Sequence, residues 1–63
     1  MNKWKQMQDE AKKMLDELLD VESGLWKGTI KFLESLQRQR EQGRVFSTDQ
    51  INILRSIWNE TLG

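Results

Sequence analysis

No cysteine and no histidine occur among the 63 residues of this chain. Without thiols there is neither a disulfide nor a thiolate metal site to staple a small fold, and without imidazole the usual zinc ligand and the usual general base are missing together. Proline is absent too, as are internal repeats, low-complexity linkers and any useful length of strand-like alternation. Neither sign of charge prevails: ten Lys or Arg stand against ten Asp or Glu, so net charge gives no bulk argument for nucleic acid, anionic membrane or acidic substrate. Nor does any apolar run approach the roughly 20 residues that span a bilayer. Lys3 and Lys5 lead into Gln6, Asp9 and Glu10 instead of a signal-peptide core. The expectation is a soluble, cytoplasmic protein with no membrane contact. Accordingly, Asn59-Glu60-Thr61 reads as plain surface despite matching a glycosylation acceptor. Gly24 and Gly28 match a membrane helix-packing spacing only by accident, because their surroundings are charged.

This length suits one domain, residues 1–63, which buries only about 60% of the surface that its unfolded chain exposes. A second copy or a partner is one route to further burial, and the expected state is a monomer or a weak homodimer. Charge is less even along the chain than in sum. Residues 1–23 carry four Lys against six acids, residues 24–44 five Lys or Arg against two Glu, and residues 45–63 one Arg against two acids. The middle of the chain is its basic part.

Three apolar periodicities predict an all-α fold, a small three-helix bundle with helices at about 2–22, 25–42 and 48–62. In the first, Trp4, Met7, Ala11, Met14, Leu18, Val21 and Leu25 step alternately by three and four, with Leu15 and Leu19 widening the stripe. Ser23 is a candidate cap for the second helix, although Ser23-Gly24 also suits a bend in one long helix. In that second helix Leu25, Trp26, Thr29, Ile30, Phe32, Leu33 and Leu36 share one wide arc, which predicts it as the central helix. Beyond Leu36 it turns wholly polar, Gln37 to Gln42, and is expected to project past the core. The third helix is expected to bury Ile51, Leu54, Ile57, Trp58 and Leu62, with Ile53 at the margin.

The join between the last two helices is the most informative stretch. Ser47 followed three residues later by Gln50 forms a capping box, and Phe46 with Ile51 forms a hydrophobic staple. Asp49 suits the positive end of the helix dipole. Gly43, after a polar helical run, is fitted for the left-handed conformation that closes a helix. One helix therefore ends before Gly43 and the next opens at Ser47.

Candidate chemistry is sparse. Asp16, Glu17 and Asp20 have no Glu-x-x-His partner and no calcium loop, so they read as a solvated face and not a metal site. Ser23, Ser35, Ser47 and Ser56 have no base to activate them. The expectation is a protein that is not an enzyme and holds no cofactor and no metal. Lys27, Lys31, Arg38, Arg40 and Arg44 are the candidate nucleic-acid-binding set, with Gln37, Gln39 and Gln42 able to add hydrogen bonds. The competing reading has basic residues near a helix C-terminus complementing the dipole and pairing with Glu34 and Glu41. A helix-turn-helix reading, with Thr48, Asn52, Arg55 and Asn59 facing bases, is weaker, since only Arg55 is cationic. Trp4, Trp26 and Trp58 all fall on apolar arcs, where core packing with the indole N–H near the rim is expected. Trp4, near a terminus, is the candidate exception, available for base stacking.

Phe32-Leu33-Glu34-Ser35-Leu36, then Gln39, Gly43-Arg44, Phe46-Ser47, Gln50, Leu54 and Ile57 resemble a pattern in small phage-encoded helical modules. The similarity is to the small helical proteins that accompany the UvsW-type recombination helicase of T-even bacteriophages, and it covers about half the chain. The resemblance implies a partner module of a DNA helicase that acts in recombination and repair of branched DNA, in the host cytoplasm if the chain is phage-encoded. The basic end of the second helix is then expected to contact single-stranded or branched DNA. No Walker A sequence is present, so any ATPase would belong to the helicase. The alternative is a pure protein-interaction bundle that docks on a helicase or on itself.

Overall fold

A computed structural model of the chain describes residues 2–63. Three helices, α1 (Lys3–Asp20), α2 (Lys27–Glu41) and α3 (Thr48–Thr61), form the expected all-α bundle. α1 opens on Asn2, whose side-chain oxygen accepts from the N–H groups of Trp4 (3.0 Å) and Lys5 (3.4 Å), satisfying two donors that lack intrahelical partners. It closes at Val21, after which Glu22–Gly24 form a single 3₁₀ turn.

That turn corrects the expected start of α2. Ser23 lies inside the 3₁₀ turn and caps nothing, and Leu25 and Trp26 are extended. The helix begins two residues later than expected, at Lys27. Trp26 is therefore not on the helical arc at all. It is 81% exposed, and its ring turns back over Gly28, where an added Cβ would meet it at 3.4 Å. Core packing thus fails for Trp26 and holds for Trp58, which packs against the core and donates its indole N–H to Glu17 (2.7 Å).

Ala11, Leu15, Leu18, Leu33, Leu36, Phe46, Ile51 and Leu54 form the buried core. The stripe on α1 is turned toward Leu15, which is fully buried, while Met7 and Met14 are only partly so and Trp4 lies beyond the core's end. The central helix is α1, not α2: it packs on both neighbours, most extensively on α3. Its buried residues Ala11, Leu15 and Leu18 all belong to the one core cluster. On α3 the buried positions are Ile51 and Leu54, with Ile57 and Trp58 packed at the edge. Leu62 was expected inside, but the helix ends at Thr61 and leaves it 40% exposed.

Among the fully buried side chains the largest, Phe46, comes from the connection and not from a helix. No helix of the described residues is long and apolar enough to cross a membrane.

Candidate nucleic-acid interface

The turn that carries Arg44 is fixed by its own backbone. Gly43 takes a positive φ of 75°, its N–H bonds to the Arg40 carbonyl (2.9 Å), and the Arg44 N–H reaches back to the Gln39 carbonyl (3.1 Å). This pair of bonds is the Schellman closure of a helix, which needs a residue without a Cβ penalty at the left-handed position. Three residues on, the capping box is present in full: Ser47 Oγ accepts from the Gln50 N–H (3.1 Å) and Gln50 Oε1 from the Ser47 N–H (2.9 Å). Phe46 and Ile51 lie in the same buried cluster, as a staple requires.

Three glutamine amides then lock the turn to the helices. Gln8, the one buried polar residue among the described residues, donates from Nε2 to the Phe46 carbonyl (2.7 Å) and accepts the Phe46 N–H at Oε1 (2.8 Å). Its side chain thereby supplies partners for both backbone polar groups of the buried Phe46. Gln39 donates to the Val45 carbonyl (2.6 Å) and pairs reciprocally with Gln50, at 3.1 and 3.0 Å. The last turn of α2 therefore does not project past the core, as expected from its polarity, but is tied into the bundle. The roles foreseen for the glutamines change with it: Gln39 is engaged, the Gln37 oxygen is buried, and Gln42 stays exposed.

The five basic residues do not form one patch. Lys27, Lys31 and Arg38 are exposed along one outer line of α2 with Glu34 among them, as spacings of four and seven dictate. Arg40 faces the other way, its guanidinium 2.7 Å from Asp16 Oδ1 and 3.4 Å from the Lys12 carbonyl. Arg44 stands apart in the turn, where it lines a shallow hollow with Trp4, Val45 and Ser47. Arg38 lines a different hollow, shared with Glu22, Glu34 and Glu41. Lys27, Lys31, Arg38 and Arg44 have no ion-pair partner among the described residues, whereas Arg40 and Arg55 pair with Asp16 and Glu10.

No protein-family model, curated protein or solved structure matches the chain.

Arg55 bears on the helix-turn-helix reading. Its guanidinium lies 3.6 Å from Glu10, so the one cation on the outer face of α3 is turned toward α1. Asp16 and Glu17 likewise serve Arg40 and Trp58, joining helices. Sequence reasoning missed Gln8 altogether. The signal was present, for a polar residue at the centre of the stripe Trp4, Ala11, Leu15 must find a partner when buried.

Proposed function

We propose that the chain is a small non-catalytic accessory module of a DNA recombination and repair helicase, which contacts single-stranded or branched DNA weakly through its unpaired cations. The observation that carries this reading is that Lys27, Lys31, Arg38 and Arg44 are exposed and free of ion pairs among the described residues. Such groups can neutralise phosphates without breaking any contact of the fold. Glu34 and Glu41 line the hollow that holds Arg38, so the affinity belongs to the non-specific range of about 10⁻⁴ to 10⁻⁶ M. Titrating labelled single-stranded and forked DNA at low salt tests it. Replacing Lys27, Lys31, Arg38 and Arg44 by Ala should remove binding while keeping the helical spectrum, and each lost phosphate contact should flatten the log–log salt plot by about 0.7 to 0.9. Equal binding by that variant would defeat the reading.

A second reading, a protein-interaction bundle that docks on a helicase or on a second copy of itself, draws on Trp26. A tryptophan left 81% exposed contributes nothing to the core, and aromatic residues of this kind anchor interfaces. Sedimentation of the wild type and of Trp26→Ala separates the two readings. Self-association lost on removing Trp26, together with no affinity for DNA, would favour docking alone.

A further inference from the structure

The hollow beside the turn differs in charge from its neighbours on the surface. Glu22, Glu34 and Glu41 line the one that holds Arg38, and Glu10 and Glu17 the one beside Trp58. The lining of the turn hollow contains Arg44 and no carboxylate. It also contains two apolar side chains left open to solvent, Trp4 at 42% and Val45 at 60% exposure. Lys3 and Lys5, both exposed, flank Trp4 in the chain and have no ion-pair partner among the described residues. An aromatic face, an aliphatic wall and a guanidinium together suit a ligand that is flat and apolar on one part and anionic on another.

Resting on the function proposed above, we infer that this hollow is a subsite for one unpaired nucleotide of a single-stranded nucleic acid. The base stacks on Trp4 beside Val45, and Arg44 holds the adjoining phosphate. Stacking of this kind tolerates any base, because every base has a π-face. The backbone behind both walls is hydrogen-bonded before a ligand arrives. Asn2 caps the turn that bears Trp4, while Gln39 binds the Val45 carbonyl through its side chain and the Arg44 N–H through its own carbonyl. Binding then has side chains to order but not the backbone that carries them. A base within a duplex is already stacked on both sides and cannot reach the indole, so the subsite selects single strands. Asp49, exposed two residues beyond Ser47, opposes the phosphate and keeps the interaction weak.

The test uses the full ¹⁵N-labelled chain, whose three tryptophans give three indole N–H signals, assigned through Trp4→Phe, Trp26→Phe and Trp58→Phe. An oligothymidylate of about eight nucleotides, within the site size of small single-strand binders, and a blunt duplex of equal length are titrated at low salt. The Trp4 signal should shift with the single strand and not with the duplex, while the Trp58 signal stays in place. Trp4→Ala should weaken binding by about tenfold and Trp4→Phe by less. Arg44→Ala should weaken it several-fold, and circular dichroism should show all three variants folded. Binding that leaves the Trp4 signal unmoved, or that survives Trp4→Ala undiminished, overturns the subsite and leaves the wider DNA reading standing. No binding of any DNA overturns both.

Discussion

Gln8 and Phe46 stand 38 positions apart in sequence, yet one side-chain amide satisfies both backbone groups of the other residue. Removing that amide leaves a donor and an acceptor unpaired inside the core. Gln8→Leu should therefore destabilise the chain by about 2 to 4 kcal/mol, a large share of what a domain of this size has to lose. Urea denaturation measures it. Gln8→Glu gives a sharper signature. Its carboxylate can accept the Phe46 N–H but can donate to the Phe46 carbonyl only when protonated, and burial also disfavours its charge. The folded-state pKa of the new carboxyl is therefore raised, so the stabilisation is present at acid pH and is lost as pH rises through that value. The variant should melt higher at pH 4 than at pH 7, opposite to the usual trend for carboxylates. Ser47→Ala should cost about 1 kcal/mol, and Gln50→Ala more, since Gln50 serves both Ser47 and Gln39. Ser47, Gln50 and Gly43 were legible in the sequence because their chemistry acts over three or four residues, where spacing alone states the geometry. Gln8 was not, because its partner is defined only once α1 lies against the turn.

Among the helices the same division holds. Their number and order followed from periodicity, and so did Leu33, Leu36, Ile51 and Leu54 as core residues. The choice of central helix did not, because the width of an apolar arc counts residues that the ends of a helix leave outside. Trp26 widened the arc of α2 on paper while preceding the helix in space. Two substitutions in α2 separate these cases. Leu33→Ala should cost about 2 to 5 kcal/mol, as expected for a fully buried leucine, whereas Trp26→Ala should change stability by no more than about 0.5 kcal/mol. Thermal or urea unfolding of the pair checks both. Arg40 belongs between them. Its bridge to Asp16 is short, but the two side chains are 31% and 57% exposed, so Arg40→Ala should cost under about 1 kcal/mol. The candidate site was legible only as a composition. The basic residues were identifiable, but which of them would pair could not be read before α1 and α2 were placed side by side.

As a whole, the molecule is tightly folded, with a radius of gyration of 11.2 Å, close to the value of about 11 Å expected for a compact chain of this length. Burial and a hydrogen-bonded turn hold it, and ion pairs contribute little. Salt should therefore separate stability from the proposed function. The two surface ion pairs among the described residues put less than about 2 kcal/mol under the control of ionic strength, while the proposed DNA binding, through several phosphates, should fall by orders of magnitude over the same range. Melting curves and DNA titrations at matched salt concentrations make the comparison. Both the fold and the hollow beside Trp4 depend on one feature, the segment from Gly43 to Ser47 held rigid by glutamine side chains. Amide hydrogen exchange at Phe46 measures that most directly. Its N–H should exchange as slowly as the most protected amides of α1 and α3, through global unfolding alone, and should lose that protection selectively in Gln8→Leu. Fast exchange at Phe46 in the wild type, at the rate of an exposed loop, would contradict the account.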